Sequence, residues 1–253
     1  MTPTIRRLAI LTTLLAAFVV ALGAYTRLKD AGLGCPDWPG CYGFLTVPEH
    51  VDDIKIAEAR FPETPVESAK GWPEMIHRYF ASTLGLLIVI QAVLCVRYVR
   101  RAKDEKQDLS SVGGPPLKLS LFLVFLVICQ GMFGMWTVTL KLWPQVVTAH
   151  LLGGFSTLIL LWIMLQRLGG YRWSLDSGAT KLTKSVSRLA VLALLVVILQ
   201  IALGGWTSSN YAALACPDLP TCQNQWLPNA DFSQGFNILQ TIGPNYLGGQ
   251  LES

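Results

Sequence analysis

The sequence predicts an all-α membrane protein: a four-helix transmembrane bundle followed by the first helix of a second, pseudo-symmetric bundle. The composition excludes an ordinary soluble domain, because 52% of the 253 residues are hydrophobic, 14% are charged and the mean hydropathy is +0.44. Five apolar stretches are long enough to cross a hydrocarbon core of about 30 Å. An internal repeat also places two similar segments on the same side of the membrane.

Each predicted span supplies about 20 residues, which suits a helix rising 1.5 Å per residue. The spans are 8–25, 75–96, 119–140, 145–165 and 189–207. Arg6 and Arg7 precede the first span, as they would in a secretory signal. That span is long for a signal peptide, however, and no clear small-x-small cleavage site follows it. We therefore expect it to remain as a helix.

The Lys and Arg residues predict the orientation, because loops on the cytoplasmic side are enriched in them. They cluster before the first span, between spans two and three, and between spans four and five. The segment 26–74 instead carries nine of the 16 acidic residues. We expect the N-terminus in the cytoplasm and segment 26–74 in the periplasm, with the chain in the inner (plasma) membrane. The lipid bilayer is then the main partner.

The net charge is +4, but the basic residues form no patch of the kind that binds nucleic acid. We therefore expect no nucleic-acid partner.

The repeat has a constant offset of 181 residues. Segment 23–41, which reads GAYTRLKDAGLGCPDWPGC, aligns without a gap on segment 204–222. Two copies that leave the membrane on the same side require an even number of helices per unit. We therefore expect a first unit at 1–170, with the long outer loop 26–74, and the start of a second unit at 171–253. Adding 181 to the later helices runs past Ser253, so the sequence predicts a C-terminally truncated second unit.

Four of the six cysteines form two C-x5-C pairs, Cys35 with Cys41 and Cys216 with Cys222. Both pairs lie on the side predicted to be oxidising, in short loops stiffened by two prolines. The spacing is compatible with structural disulfides and also with redox-active thiols, and it does not separate these two alternatives.

Two of the three histidines occupy matching positions. His77 follows Trp72 and Pro73, and His150 follows Trp143 and Pro144. Because proline favours the first turn of a helix, each histidine is expected one to two turns inside its helix at the outer end. Two imidazoles at equal depth in one bundle are typical of a metal clamp. Histidine-ligated haem suits them better than tetrahedral zinc, since no further ligand set is near in sequence. The alternative is that each ring only hydrogen-bonds a neighbouring helix.

Polar and small residues near the histidines are consistent with a porphyrin site. Glu74 precedes His77 by three residues and is a candidate proton-handling group at the macrocycle edge, or else a first-turn acid favoured by the helix dipole. Arg78 and Arg27 are candidate partners for haem propionates. Small residues at Gly85, Gly153 and Gly154 would leave room for a flat ring.

A further pattern links the third and fifth spans. The series Gln130, Gly134, Trp136, Thr137 recurs as Gln200, Gly204, Trp206, Thr207. Glycines of this kind let membrane helices approach closely, and Trp favours the interface, so helix packing explains the pattern. Space for a macrocycle is the alternative explanation.

These motifs together resemble the haem A synthase family. The resemblance rests on segment 23–41, ExxHR at 74–78, AHLLGG at 149–154 and GGWTSS at 204–209, and it covers essentially the whole chain. It implies eight transmembrane helices in two pseudo-symmetric halves, each with a pair of haem-ligating histidines. The N-terminal half would receive haem O, and the C-terminal half would hold a haem b cofactor whose ligands lie beyond this sequence.

The resemblance further implies an oxidoreductase that converts the C8 methyl group of haem O to a formyl group, for cytochrome oxidase assembly. His77 and His150 would be the axial ligands, Glu74 the catalytic acidic residue, and the two cysteine pairs the outer-loop disulfides. Expected partners are haem O and the farnesyltransferase that produces it, together with a possible homo-oligomer. Two alternatives stay open: a membrane thiol-disulfide/quinone oxidoreductase and a non-catalytic bis-histidine haem electron carrier.

Overall fold

The computed structural model describes residues 3–106, 114–169, 180–212, 215–218, 220–227 and 232–238, and of 180–185 and Gln234 the backbone only. Those residues form seven helices and no strand longer than an isolated bridge. In chain order the helices are α1 (Pro3–Leu28), α2 (Val51–Arg60), α3 (Ser68–Asp104), α4 (Leu117–Thr139), α5 (Pro144–Leu168), α6 (Thr180–Ser209) and α7 (Phe232–Gly235).

Five of these helices are long and apolar enough to cross a membrane: α1, α3, α4, α5 and the 186–209 part of α6. The predicted all-α membrane class and the five spans are therefore confirmed. The helices extend beyond the predicted apolar stretches, since polar residues continue a helix after it leaves the hydrocarbon region. Most large apolar side chains on the outer faces are exposed in the isolated chain, as lipid-facing residues are expected to be.

The first four spanning helices form a closed bundle in which α1 packs on α3, α3 on α4, α4 on α5, and α5 back on α1. Its core is apolar, with Ile88, Leu161 and Met164 almost fully buried. Two successive hydrogen bonds cross this core. The Thr12 hydroxyl donates to Gln91 Oε1 at 3.0 Å, and the Gln91 amide donates to the sulfur of Met164 at 3.1 Å. The core thus holds together the end of the bundle that lies away from the histidines.

Helix α6 packs on α5 outside this bundle, as expected for the first helix of a second unit. Two contacts join residues that are one full repeat apart: Arg27 with Ser208, and Asp30 with Tyr211. Equivalent residues that touch each other are the arrangement expected around a pseudo-twofold axis. The predicted boundary between the two units, at 170/171, lies outside the described residues, and the domain division stays a prediction.

The beginning of α3 differs from the prediction. Pro73 was expected in the first turn, but the helix begins at Ser68, so the proline lies inside it. The backbone N–H groups of Lys70 and Gly71 both donate to the Glu67 carbonyl and close an extra turn ahead of the proline. The prediction for α5 was correct, since Pro144 occupies its first turn after the N-cap residue Trp143.

Candidate functional site

The two bundle histidines lie near the same end of the four-helix bundle. We call this the disulfide end, because the Cys35–Cys41 disulfide lies there beside the start of α3. His150 lies six residues into α5 and His77 nine residues into α3. The structure therefore brings together the two residues that the sequence singled out.

Glycines on the neighbouring helices make room for both imidazoles. A Cβ atom added at Gly23 of α1 would lie 3.1 Å from Cε1 of His77, and one added at Gly134 of α4 would lie 3.5 Å from Cε1 of His150. Each histidine thus lies against a glycine of an adjacent helix, which fixes the level and direction of its ring.

The nitrogen atoms of these rings are incompletely satisfied. Nδ1 of His77 and Nδ1 of His150 are buried, and neither has a hydrogen-bond partner in the described part of the chain. An unpaired polar atom in a membrane interior costs free energy, and it is typical of a site that binds a ligand. Two such imidazoles in one bundle fit the axial coordination of a haem iron.

Gln130 is a polar residue of the site whose contact the sequence did not predict. It lies one turn from Gly134 on α4, and its amide packs directly on Gly153 of α5, where an added Cβ atom would displace the amide. Its side chain makes no hydrogen bond to any residue that the structure describes. The repeated Gln-x3-Gly spacing was the only sequence signal for this residue.

Glu74 is turned toward the disulfide loop. Its carboxylate is almost fully buried, accepts a hydrogen bond of 3.0 Å from the backbone N–H of Cys35, and forms an ion pair with Arg78. A second nitrogen of Arg78 donates to the carbonyls of Asp37, at 2.9 Å, and Gly40, at 2.5 Å. Both charged groups thus stabilise the loop that closes the disulfide end.

The loop itself is a compact, buried structure. Cys35 and Cys41 are bonded and fully buried. The Asp37 carboxylate accepts hydrogen bonds from the backbone N–H groups of Tyr42, at 2.6 Å, and Gly43, at 2.7 Å. The Tyr42 hydroxyl donates to the Pro65 carbonyl at 2.9 Å, and burial raises the pKa of this phenol above its ordinary value. The loop is thereby fixed as a rigid cap on the first unit.

The second cysteine loop repeats this construction. Cys216 is bonded to Cys222, and Asp218 accepts backbone hydrogen bonds from Gln223 and Asn224, as Asp37 does from its neighbours in the first copy. A hydrogen bond from Thr221 holds the pKa of the Asp218 carboxyl below its ordinary value. Here Cys216 is exposed, whereas both cysteines of the first pair are buried.

Arg27 contacts the second unit. Its guanidinium donates to the hydroxyl of Ser208 at 3.1 Å and to the backbone carbonyl of the same residue. It also stacks over the Tyr211 ring, with 4.2 Å between the guanidinium carbon and the ring centroid. Binding of propionates by Arg27 and Arg78 stays a prediction, since in this structure protein groups engage both side chains.

Known proteins are similar to this chain along most of its length. The family model of the cytochrome oxidase assembly proteins, COX15-CtaA, matches residues 6–245. The chain is 44% identical to "Heme A synthase" of Shewanella oneidensis, over 96% of this chain and 68% of that protein. It is 24% identical to "Heme A synthase" of Shouchella clausii, over 92% of this chain and 68% of that protein.

A further relative, "Heme A synthase" of Parvibaculum lavamentivorans, is 26% identical over 87% of this chain and 64% of its own length. No solved structure matches the chain. The family match spans nearly all of the sequence, including both cysteine loops and both bundle histidines. The chain belongs to the COX15-CtaA family of cytochrome oxidase assembly proteins.

Proposed function

We propose that this chain is a haem A synthase, an oxidoreductase that converts the C8 methyl group of haem O to a formyl group by successive hydroxylations. The haem A would then serve the assembly of cytochrome oxidase. The relatives at 44% and 24% identity carry this name. Within the chain, the observation that carries the proposal is the pair of buried imidazoles on α3 and α5, each with an unpartnered nitrogen.

The substrate would lie between His77 and His150 with its iron held from both sides. Haem propionates are charged and avoid hydrocarbon, so they would point toward the disulfide end, where polar backbone and water are available. The apolar ring edge and the farnesyl chain would then extend into the membrane. The four packed helices exclude bulk water from the ring, which protects a reactive substituent from side reactions.

We assign Glu74 to the catalytic machinery as a proposal. The carboxylate is the acidic group nearest in sequence to His77, and it lies at the disulfide end of the bundle, where the propionates and the adjacent C8 substituent would be. In this structure the carboxylate binds the disulfide loop, through its ion pair with Arg78 and its hydrogen bond from the Cys35 N–H. A role in proton transfer therefore requires that substrate binding redirect part of this hydrogen bonding.

The remaining assignments extend the same proposal. A haem b in the C-terminal half would supply electron transfer to the substrate site. Arg27 and Arg78 would help to orient propionates. The farnesyltransferase that produces haem O would hand over the substrate, and several copies of the chain would form a homo-oligomer. The chain would lie in the inner (plasma) membrane with its N-terminus in the cytoplasm and both disulfide loops in the periplasm.

The test replaces each bundle histidine by alanine in a host that produces haem O. We expect His77→Ala and His150→Ala to abolish haem A, identified by mass after extraction, and to remove the bis-histidine spectrum of the first unit. His50→Ala is the matched control, because His50 is exposed in the outer loop. Haem A formation that persists in both bundle variants would overturn the proposal.

The two alternatives make opposite predictions. A thiol-disulfide/quinone oxidoreductase would lose activity with Cys35→Ser but keep it with His77→Ala. The complete burial of Cys35 and Cys41 argues against exchange at the first pair, because thiol exchange requires access to a sulfur atom. Cys216 of the second pair is exposed, so Cys216→Ser tests exchange at that pair. A bis-histidine electron carrier would show the haem spectrum, but the haem extracted from it would be chemically unchanged.

A further inference from the structure

The starting observation is an unpaired amide within a membrane-spanning helix. Gln130 is half-buried on α4 with its amide against the backbone of Gly153, and no hydrogen bond joins that amide to another described residue. By comparison, Gln91 in the bundle core is paired with Thr12 and Met164. A primary amide at this position in a membrane-spanning helix costs free energy when it has no partner, so a ligand is expected to satisfy it.

The depth of Gln130 indicates which part of the ligand it meets. Gly134, which faces His150, lies five residues before the end of α4, and Gln130 lies nine residues before that end. At 1.5 Å per residue the amide is therefore about 6 Å deeper in the membrane than the histidine level. That separation is comparable with the distance from a porphyrin iron to the ring edge. A ring held at the level of the histidines would therefore have Gln130 near its edge that points away from the disulfide end.

The chemistry of that edge follows from the propionates. When they point toward the disulfide end, the opposite edge carries the substituents of the other two pyrroles. In haem O one of these is the hydroxyethylfarnesyl group at C2, whose hydroxyl is the only hydrogen-bonding group on that edge. Haem B has an apolar vinyl group in its place.

We infer that the Gln130 amide hydrogen-bonds the hydroxyl of the hydroxyethylfarnesyl group and so selects haem O over haem B. This inference rests on the proposed function. The two haems differ in what they offer the amide. The hydroxyl of haem O hydrogen-bonds it, whereas the vinyl group of haem B leaves it without a partner inside the membrane. Gly153 is needed because any side chain there would displace the amide.

The test measures which haem the protein carries, independently of turnover. Full-length protein is purified from a host that makes both haem O and haem B, and the bound haems are extracted and separated. The His77→Ala variant defines the haem that does not depend on the first site. We expect the His77-dependent haem of the wild type to be enriched in haem O. Gln130→Met should lower the ratio of haem O to haem B about tenfold.

Two further variants keep the test decisive. Gly153→Ala should lower the same ratio by displacing the amide. Gln166→Met, the same change near the far end of α5, should leave the ratio unchanged. Gln130→Met should not lower the melting temperature, because the amide has no partner to lose among the described residues. A lower melting temperature with equal loss of both haems would assign Gln130 a purely structural role and overturn the inference.

The remaining outcomes separate this inference from the proposed function. A wild-type protein without any His77-dependent haem would overturn both. A wild type enriched in haem O, with the same enrichment in Gln130→Met, would overturn the Gln130 inference alone. Unchanged enrichment together with accumulation of a hydroxylated intermediate would place the amide at the reacting C8 substituent instead, and would also overturn it.

Discussion

Replacing Glu74 by glutamine separates its structural contribution from a catalytic one. The new amide would still offer an oxygen to the Cys35 N–H, which is now 3.0 Å from the carboxylate, but the charge that pairs with Arg78 would be lost. The arginine would keep its hydrogen bonds to the carbonyls of Asp37 and Gly40. The substitution thus removes one charged interaction without emptying the space.

The loss of stability expected from Glu74→Gln depends on how deeply the Glu74–Arg78 pair is buried. The two side chains are only 12% and 6% exposed, so water screens the pair weakly. A hydrogen bond to a charged group contributes about 1.5–3 kcal/mol, and leaving a buried charge wholly unpaired costs about 3–5 kcal/mol. Because Arg78 retains two carbonyl partners, we expect Glu74→Gln to destabilise the protein by about 2–3 kcal/mol. For a chain of this size that corresponds to a fall in Tm of about 5–10 °C.

Thermal unfolding in mild detergent, followed by tryptophan fluorescence, measures this effect. Glu67→Gln is the matched control, because Glu67 pairs with Lys70 at 3.2 Å on the surface, where an ion pair contributes at most about 1 kcal/mol. Arg78→Gln should give a larger loss, because the carbonyls of Asp37 and Gly40 also lose their donor, and the double variant should lose less than the sum of the two. If Glu74→Gln melts like the wild type while haem A formation disappears, the carboxylate acts on the substrate and our structural interpretation is wrong.

Two other predictions concern the pocket and its cap. Gly23→Ala would place a Cβ atom 3.1 Å from His77 and should weaken haem retention and shift the haem spectrum, whereas Gly131→Ala, with nothing within 4 Å, should match the wild type in both measurements. Equal spectra in the two variants would show that the His77 ring does not depend on Gly23. Burial raises the pKa of Tyr42 above 10.0, so this residue contributes stability that is fully present below pH 10.0 and is lost as the pH rises through the folded-state pKa. Tyr42→Phe should therefore flatten the alkaline decline of Tm, and a parallel decline in wild type and variant would contradict this.

The spanning helices could be predicted from the sequence because the bilayer imposes a minimum apolar length on each of them. The beginning of α5 was predictable for a local reason, since Pro144 suits a first turn. The beginning of α3 was not, because the turn that precedes Pro73 depends on the Glu67 carbonyl accepting two backbone hydrogen bonds. That arrangement involves the fold of the outer loop, which no local pattern specifies.

In the candidate site, too, some residues could be predicted from local sequence and others depend on the fold. His77 and His150 could be identified because the chain has only three histidines and these two occupy matching positions. Ionisable residues in membrane-spanning helices are rare and usually functional. The contacts of Arg78 and Arg27 could not be predicted, since each guanidinium has several possible partners and the fold determines which carbonyls and carboxylates come near. Gln130 was visible only as part of a repeated spacing, and its contact with Gly153 depends on the relative register of two helices.

The disulfide loop and the histidine site are connected through the rotation of α3 about its own axis. Successive residues of a helix are about 100° apart, so His77 projects about 60° to one side of Glu74, and Arg78 about 40° to the other. Glu74 and Arg78 are both bound to the loop, at Cys35 and Gly40 respectively. Two attachments on one face prevent the helix from turning, and the direction of the His77 ring is fixed as a consequence. The buried loop would therefore contribute to the proposed haem binding without touching the haem, by holding the helix that carries one of the proposed ligands.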